Sequence, residues 1–130
     1  MRLILDTCTF LWLASAPTRL SRLAVDLIAN PENEAMLSAV SAWEIGVKHA
    51  LGRLPLPQEL SPGAFIPEAR VRHRLAALPI EEGDTFELGR LPPLHQDPFD
   101  RMLICQAIGR QAVILTPDPL IRQYPVAVRW

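Results

Sequence analysis

The sequence predicts an α/β fold in which helices cover both faces of a parallel sheet. Short apolar runs typical of buried strands alternate with longer segments whose apolar residues recur at helical spacing. This alternation favours parallel strands, because each consecutive parallel pair needs a crossover connection, usually a helix. A length of 130 residues predicts one domain, residues 1–130, and 49% hydrophobic residues can form a continuous core.

The first half of the chain predicts the element order β-α-β-α. Its opening apolar run ends at Asp6, so a carboxylate directly follows a buried strand. Pro17 interrupts the helical spacing that follows, and Gly52 stops the last helix of this half. The predicted elements are a strand over 3–5, two helical pieces between 10 and 30, a strand over 34–38, and a helix that opens at 41–44 and ends at about 51.

The second half begins with a proline-rich stretch over 53–79, in which Leu54-Pro55-Leu56-Pro57 cannot continue a helix. The helix predicted to begin near residue 81 has acids in its first turn, where negative charge interacts favourably with the helix dipole. The predicted elements are a short helix over 62–70, a strand within 75–80, helices over 81–91 and 98–110, and strands over 112–116 and 126–128.

Charge and cysteine content limit the classes of protein to which the chain can belong. The net charge of -1 provides no overall positive field, so a polyanionic partner would have to meet local positive charge. Cys8 and Cys105 are too few for a disulfide scaffold and lack the spacing of a zinc site, so both are expected to be reduced, half-buried thiols. The opening apolar run reaches Asp6 too early for a signal peptide or membrane span, and a cytoplasmic protein is expected.

Four acids stand where α/β proteins place ligand-binding groups. Open parallel sheets bind ligands beyond the carboxyl ends of their strands. Asp6 follows the first predicted strand and Asp118 follows the run over 112–116, so both are expected in one crevice if these strands are neighbours. Glu44 and Asp100 enter from the first turns of predicted helices, which begin on the same side of the sheet.

Each acid also has a purely structural interpretation. A Ser-x-x-Glu pattern makes Glu44 part of a possible capping box, and Asp97, followed by proline, fits the N-cap of the helix that holds Asp100. Asp6 could form an Asx turn, and Asp118 could cap a short segment over 119–123. Taken singly, capping explains Glu44 and Asp100 better than function does, whereas the two interpretations are balanced for the other acids.

Taken together, the four carboxylates indicate a bound cation. Carboxylates that point into one crevice repel one another and raise each other's pKa unless positive charge lies among them. Oxygen ligands with retained waters suit Mg²⁺ or Mn²⁺, and such ions activate water and stabilise charge on a phosphoryl group. The expected cofactor is therefore Mg²⁺ or Mn²⁺, and the expected reaction is hydrolysis of a phosphodiester.

Four segments carry a resemblance to a known family. They are Leu5-Asp6-Thr7 followed by Phe10-Leu11-Trp12, then Ser41-Ala42-Trp43-Glu44-Ile45, His95-Gln96-Asp97-Pro98-Phe99-Asp100-Arg101-Met102-Leu103-Ile104, and Leu115-Thr116-Pro117-Asp118. In this combination, which spans nearly the whole chain, the sequence resembles the PIN-domain family, specifically the VapC-type toxin ribonucleases of type II toxin-antitoxin systems. The resemblance implies a three-layer α/β/α sandwich around a central, mainly parallel sheet.

The resemblance also implies an activity and a site. Members of the family cleave RNA endonucleolytically with Mg²⁺ or Mn²⁺, and the acidic site maps onto Asp6, Glu44, Asp100 and Asp118. Asp6 and Asp100 are expected to bind metal directly, and Glu44 and Asp118 directly or through water. Asp97 resembles an N-cap beside the third acid, and its own contact with metal stays open. A metal-activated water would then hydrolyse the phosphodiester.

Further roles are assigned to residues that stand close to these acids in the sequence. Thr7 and Thr116 are expected to orient the acids, and Arg101 to contact the scissile phosphate or pair with a neighbouring acid. The implied partners are an RNA substrate, a cognate antitoxin protein and a second copy of the chain in a homodimer, with no membrane.

Several other residues invite functional interpretations. The basic run over 70–74 could follow an RNA backbone or form a solvated surface. Trp12 and Trp43 are expected to be core or interface anchors rather than platforms for RNA bases. The three histidines share no ligand spacing, so a zinc site is not expected.

Two other functions stay open. A catalytically silent PIN fold could serve only as a binding module, although the presence of all four acids disfavours it. A phosphoryl-transfer or receiver-like domain could use Asp6 as a phospho-acceptor, but the chain lacks a second aspartate in Asp-x-Asp spacing and a lysine near the last strands.

Overall fold

The central sheet of the computed structural model, which describes residues 1–130, contains five strands, all parallel. They are β1 (Arg2–Leu5), β2 (Glu34–Ser38), β3 (Ala76–Leu78), β4 (Val113–Leu115) and β5 (Val128–Arg129). The strand order β3-β2-β1-β4-β5 makes β1 central, with β2 and β3 on one side and β4 and β5 on the other. The order reverses between β1 and β4, which is where open α/β sheets bind ligands.

Seven helices cover the sheet, and the predicted α/β class is confirmed. They are α1 (Thr7–Ser15), α2 (Arg22–Ala29), α3 (Ala39–Ala50), α4 (Pro62–Arg72), α5 (Glu82–Glu87), α6 (Pro98–Arg110) and α7 (Pro119–Arg122). The predicted bounds of β2 and α6 are confirmed residue for residue. The predicted helix over 81–91 is shorter, because after Glu87 the chain tightens into a 3-10 turn over Leu88–Arg90, and the last strand lies at 128–129 instead of 126–128.

The start of α3 corrects the predicted capping box. Ser38 is the N-cap of this helix, and its hydroxyl accepts a hydrogen bond from the backbone N–H of Val40 at 3.0 Å. The helix therefore begins before Ser41, and both Ser41 and Glu44 lie inside it. The capping interpretation of Glu44 is therefore wrong.

Two hydrophobic cores lie on the two faces of the sheet. Alternating side chains of β1 divide between them: Leu3 and Leu5 join one core, and Ile4 joins the other. Phe10 and Ile45 bring α1 and α3 to the first core. The second core is formed largely by α6, with the buried side chains Met102, Leu103, Ile104, Cys105 and Ala107. The three-layer α/β/α sandwich is thus confirmed, with β1 buried on both faces as expected of a central parallel strand.

A buried polar network fixes α6 against the end of β2. Gln106 is fully buried; its Oε1 accepts a hydrogen bond from Ser38 Oγ at 2.5 Å, and its Nε2 donates to the carbonyl of Pro79 at 3.1 Å. Arg110 donates to both carboxylate oxygens of Asp84. Burial alone would raise the pKa of Asp84, but the hydrogen bonds and charge of Arg110 hold it below its ordinary value. Satisfied buried networks of this kind specify one packing arrangement.

Two side chains differ from expectation. Trp43 is not a core residue: it is 52% exposed and rests edge-on against Phe99, with ring centroids 4.7 Å apart. Both cysteines are free, but Cys105 is fully buried rather than half-buried because it faces the second core. No helix is both long and apolar enough to cross a bilayer.

Candidate active site

Asp6 lies at the carboxyl end of β1. It is next to the switch point of the sheet, the place between β1 and β4 where the strand order reverses. Its Oδ1 accepts a hydrogen bond from the backbone N–H of Thr9 at 2.8 Å and thereby caps α1, while its Oδ2 accepts one from the hydroxyl of Thr116. The residue is 5% exposed. Burial raises the pKa of Asp6 above its ordinary value, and the charge of Asp118 adds to this effect, although the hydrogen bonds from Thr116 and Thr9 oppose it. The site therefore holds a carboxylate with no cationic side chain among its hydrogen-bond partners.

Thr116 and Asp118 follow β4 on the other side of the switch point. The hydroxyl oxygen of Thr116 accepts a hydrogen bond from the backbone N–H of Asp118 at 3.0 Å. Asp118 is the N-cap of α7, and its Oδ1 accepts from the backbone N–H of Leu120 at 2.9 Å. The capping interpretation of Asp118 is thus confirmed, and its second oxygen has no hydrogen-bond partner within the chain.

Glu44 approaches from α3 and is also 5% exposed. Its Oε1 accepts a hydrogen bond from Thr7 Oγ1 at 2.6 Å, and its Oε2 pairs with the ammonium group of Lys48, one turn further along the helix. The hydrogen bond to Glu44 raises the pKa of Lys48. Thr7 lies one residue after Asp6, so its contact with Glu44 connects the first acid to the helix after β2.

Asp97 and Asp100 lie at the start of α6. Asp97 is the N-cap, as predicted, and its Oδ1 accepts from the backbone N–H groups of Phe99 at 2.9 Å and Asp100 at 3.2 Å. Asp100 Oδ2 lies 3.1 Å from His95 Nε2. Burial, and after it the negative charges of Asp97, Asp118 and Glu44, raise the pKa of Asp100 to about 6 against the opposing hydrogen bond from His95.

The structure brings acids from four distant segments to one edge of the sheet. Their proximity is visible in their electrostatics, because Asp118 raises the pKa of both Asp6 and Asp100, and Glu44 raises that of Asp100. In their present orientations, no three Asp, Glu, His or Cys side chains form a set that could hold a metal ion. Glu44, Asp6 and Asp100 instead point to Lys48, Thr116 and His95. Ion binding therefore requires some of the four acids to change orientation, but Asp100 can keep its contact with His95, because that contact uses only Oδ2.

The donor set is nevertheless suitable in kind for a hard divalent cation. Carboxylate oxygens are the ligands that Mg²⁺ and Mn²⁺ prefer. Lys48 is the one cationic side chain that pairs with any of the four acids apart from the ionisable His95. Burial and, to a lesser degree, the charges of neighbouring acids raise the pKa of Asp6 and Asp100, and a divalent cation would favour the charged form of both carboxylates.

Arg101 makes no ion pair with the acids. Its Nη1 donates to the carbonyl of Pro92 at 3.0 Å and to Tyr124 Oη at 2.9 Å. The residues missed by sequence reasoning are His95, Tyr124 and Lys48. The lysine was detectable, since it follows Glu44 by four residues on one helix, a spacing that brings side chains together. Tyr124 had no such signal, because it meets His95 across 29 residues of chain.

The fold and the site together define the class of protein: a parallel α/β sandwich with an acidic site, suited to a divalent cation, at the switch point of its sheet. The family model "PIN domain" matches residues 3–126, and the chain belongs to the PIN domain family.

Individual relatives agree with this assignment. The chain is 31% identical over 87 residues to Ribonuclease VapC16 of Mycobacterium tuberculosis (strain ATCC 25618 / H37Rv), a match that covers 61% of this chain and 60% of that protein. Among solved structures, VapBC2 from Rickettsia felis, bound to a DNA fragment from its promoter, matches with a TM-score of 0.77 at 16% identity, over 100% of this chain and 99% of that one. VapBC-1 from nontypeable Haemophilus influenzae matches with a TM-score of 0.64 at 17% identity, over 99% and 97% of the two chains. At these identities the structural matches establish the fold alone.

Proposed function

We propose that this protein is a divalent-metal-dependent endoribonuclease that acts as the toxin of a toxin-antitoxin pair. The observation that carries the proposal is the meeting of Asp6, Glu44, Asp100 and Asp118 at the switch point of a PIN domain. The similarity to a protein named as a ribonuclease supports RNA as the substrate. Such a substrate would place the protein in the cytoplasm.

Asp6 and Asp100 would hold Mg²⁺ or Mn²⁺ directly, and Glu44 and Asp118 would hold it directly or through water. When bound, the ion would stabilise negative charge on the phosphate. It would also lower the pKa of a water molecule, so that a hydroxide nucleophile is available near neutral pH. Asp118 caps α7 with one carboxylate oxygen, and its other oxygen has no partner within the chain and is available to an ion or a water. Asp97 uses its Oδ1 to cap α6, so its proposed role is to fix the start of that helix.

The two threonines would orient the acids. Thr7 donates to Glu44 at 2.6 Å, and Thr116 donates to Asp6, so each hydroxyl fixes one carboxylate oxygen and leaves the other for a different partner. Lys48 would neutralise part of the site's charge in the absence of metal. Its 44% exposed side chain can leave Glu44 for solvent when an ion arrives.

Cleavage of a labelled, structured RNA by the purified protein tests the proposal. We expect cleavage with Mg²⁺ or Mn²⁺, none with EDTA, and none for Asp6→Asn in either metal. Asp26→Asn is the matched control, because Asp26 is an exposed acid on α2 whose only side-chain partner is Arg22. Retained activity in Asp6→Asn, or activity in EDTA, would contradict the mechanism.

The same experiment separates the enzyme from a silent binding module. A binding module would retain RNA without cleaving it, and Asp6→Asn would bind as well as the unchanged protein does. A receiver-like protein would instead form a beryllofluoride adduct at Asp6. Membership of the PIN family and the four gathered acids favour cleavage over both alternatives.

We further propose a cognate antitoxin and a second copy of the chain as protein partners. The structural neighbours described as VapBC proteins support the antitoxin as a partner. Trp43 and Val47 on α3 and Leu51 at its C-cap form an exposed apolar row at four-residue spacing, which offers a surface for a protein. Co-expression with the product of the neighbouring gene, followed by size-exclusion chromatography with light scattering, tests both partners. Neither would be supported if the protein elutes alone and as a monomer.

A further inference from the structure

His95 lies between Asp100 and Tyr124 and contacts both with its two ring nitrogens. Its Nε2 lies 3.1 Å from Asp100 Oδ2, and its Nδ1 lies 2.7 Å from Tyr124 Oη. The side chain of His95 is 9% exposed, and Tyr124 is 3% exposed. Water therefore has little access to these contacts, and each ring nitrogen must find its partner within the protein.

The hydrogen bonds of Tyr124 determine which nitrogen of His95 carries the proton. The phenolic oxygen accepts the backbone N–H of His95 at 3.1 Å and an N–H of Arg101 at 2.9 Å. With two donors already directed at the oxygen, the phenolic proton is free to point only to His95 Nδ1. A neutral imidazole that accepts at one nitrogen donates at the other. His95 therefore carries its proton on Nε2 and donates it to Asp100.

Arg101 and the fold around it keep Tyr124 in place. The guanidinium carbon of Arg101 lies 5.9 Å from the centre of the Tyr124 ring, and a further hydrogen bond ties the guanidinium to the carbonyl of Pro92. The backbone N–H of Tyr124 donates to the carbonyl of Ile121 at 3.1 Å, which connects the tyrosine to the end of α7. The proton arrangement of His95 is thus imposed from outside the acidic crevice.

We propose that Tyr124 and His95 are a pair of positioning residues that fix Asp100 as a metal ligand. The pair holds Oδ2 of Asp100 through the Nε2 proton and leaves Oδ1 directed away from the histidine, available to a cation. The identity of the ion in this inference rests on the proposed function. The position of the proton on His95 does not depend on that function. Groups that hydrogen-bond a ligating carboxylate preset its orientation, and their loss typically lowers metal affinity by roughly 10-fold to 100-fold.

The first test measures the imidazole of His95 directly in metal-free protein. Long-range proton–nitrogen NMR correlations, recorded at about pH 8 where an ordinary histidine is neutral, distinguish the two tautomers. We expect a protonated Nε2 and an unprotonated Nδ1 in the unchanged protein, and a mixture of both forms in Tyr124→Phe, which lacks the phenolic proton. A proton on Nδ1 in the unchanged protein, or no effect of Tyr124→Phe, would overturn the proposal.

The second test measures Mn²⁺ affinity without RNA, by electron paramagnetic resonance of the free ion. His95→Ala should weaken binding by roughly 10-fold or more, and Tyr124→Phe by a smaller factor. His95→Gln should recover part of the affinity, because its amide N–H can reach where Nε2 stood. His73→Gln, at the end of α4, is the matched control and should bind as the unchanged protein does. Full affinity in a folded His95→Ala, checked by circular dichroism, would overturn the positioning role.

The two readouts separate this proposal from the proposed function. If the unchanged protein binds Mn²⁺ and loses affinity in His95→Ala but cleaves no RNA, the nuclease function fails and the positioning pair stands. If it cleaves RNA and His95→Ala binds Mn²⁺ and cleaves equally well, the positioning pair fails and the nuclease stands.

Discussion

The hydroxyl of Thr116 donates a hydrogen bond to Oδ2 of Asp6, across 110 residues of chain. The hydroxyl oxygen of Thr116 also accepts a hydrogen bond from the backbone N–H of Asp118, so one side chain contacts both acidic residues that flank the switch point. The contact exists because β1 and β4 are neighbours, with Leu5 opposite Leu115, and each acidic segment begins where its strand ends. The pairing of β1 with β4 and the side chain of Thr116 therefore fix the positions of Asp6 and Asp118 relative to each other.

Thr116→Val tests this contact. Valine has nearly the shape of threonine but leaves the buried Oδ2 of Asp6 without its donor, at a cost of about 1–3 kcal/mol in the free energy of unfolding. Urea denaturation in EDTA should show this loss, and cleavage should fall with it. Thr18→Val, at an exposed position, is the control and should change neither. Unchanged stability in Thr116→Val would mean that the hydrogen bond contributes nothing net.

Asp6→Asn should abolish cleavage while leaving the thermal unfolding midpoint level or higher in EDTA. Burial raises the pKa of Asp6, which means that the folded, metal-free protein disfavours its charge. Asparagine removes that charge and retains an oxygen to cap α1 at Thr9. Differential scanning calorimetry measures the midpoint. A clear fall would show that the carboxylate stabilises the empty site, contrary to its raised pKa.

Asp100 predicts a pH dependence of the metal-free protein. Its pKa is raised to about 6 from an ordinary 3.8, so between these values the folded protein binds more protons than the unfolded chain. Stability from this group is then present at low pH and is lost as pH rises from about 4 through about 6. Comparison with Asp100→Asn in urea titrations at several pH values isolates the effect. The difference between the two proteins should change across this window, and a constant difference would contradict the raised pKa.

Asp84 predicts the opposite slope at more acidic pH. Its pKa is held below the ordinary 3.8, because the hydrogen bonds and charge of Arg110 outweigh the effect of burial. The stability it contributes is present above that ordinary value and is lost as pH falls through the lowered one. Asp84→Asn should therefore be less stable than the unchanged protein at neutral pH and approach it in strong acid. If the free energies of unfolding of the two proteins instead fell in parallel as the pH is lowered, the lowered pKa of Asp84 would be refuted.

Local sequence predicted those elements whose ends carry their own signals. α6 was predicted residue for residue, since Asp97 caps it, proline occupies its first position and its last residues precede a left-handed Gln111. The start of α3 was wrong because two serines compete as N-caps in the sequence. In the structure Ser38 is the N-cap, and its hydroxyl also donates to Gln106 across 68 residues of chain. A contact between residues so far apart cannot be predicted from the local sequence.

The sequence by itself determined the α/β class, the order of nearly all elements, and the positions of Asp6 and Asp118 after strands and of Asp100 at a helix start, because periodicity, caps and prolines act within a few residues. Only the tertiary structure decided that β1 lies between β2 and β4, that Trp43 remains exposed, and that Thr7 reaches Glu44, Thr116 reaches Asp6 and Tyr124 reaches His95. These contacts depend on strand order and on packing across two cores, which join residues far apart in the chain. The arrangement of hydrogen-bond donors around each carboxylate is therefore a property of the folded protein.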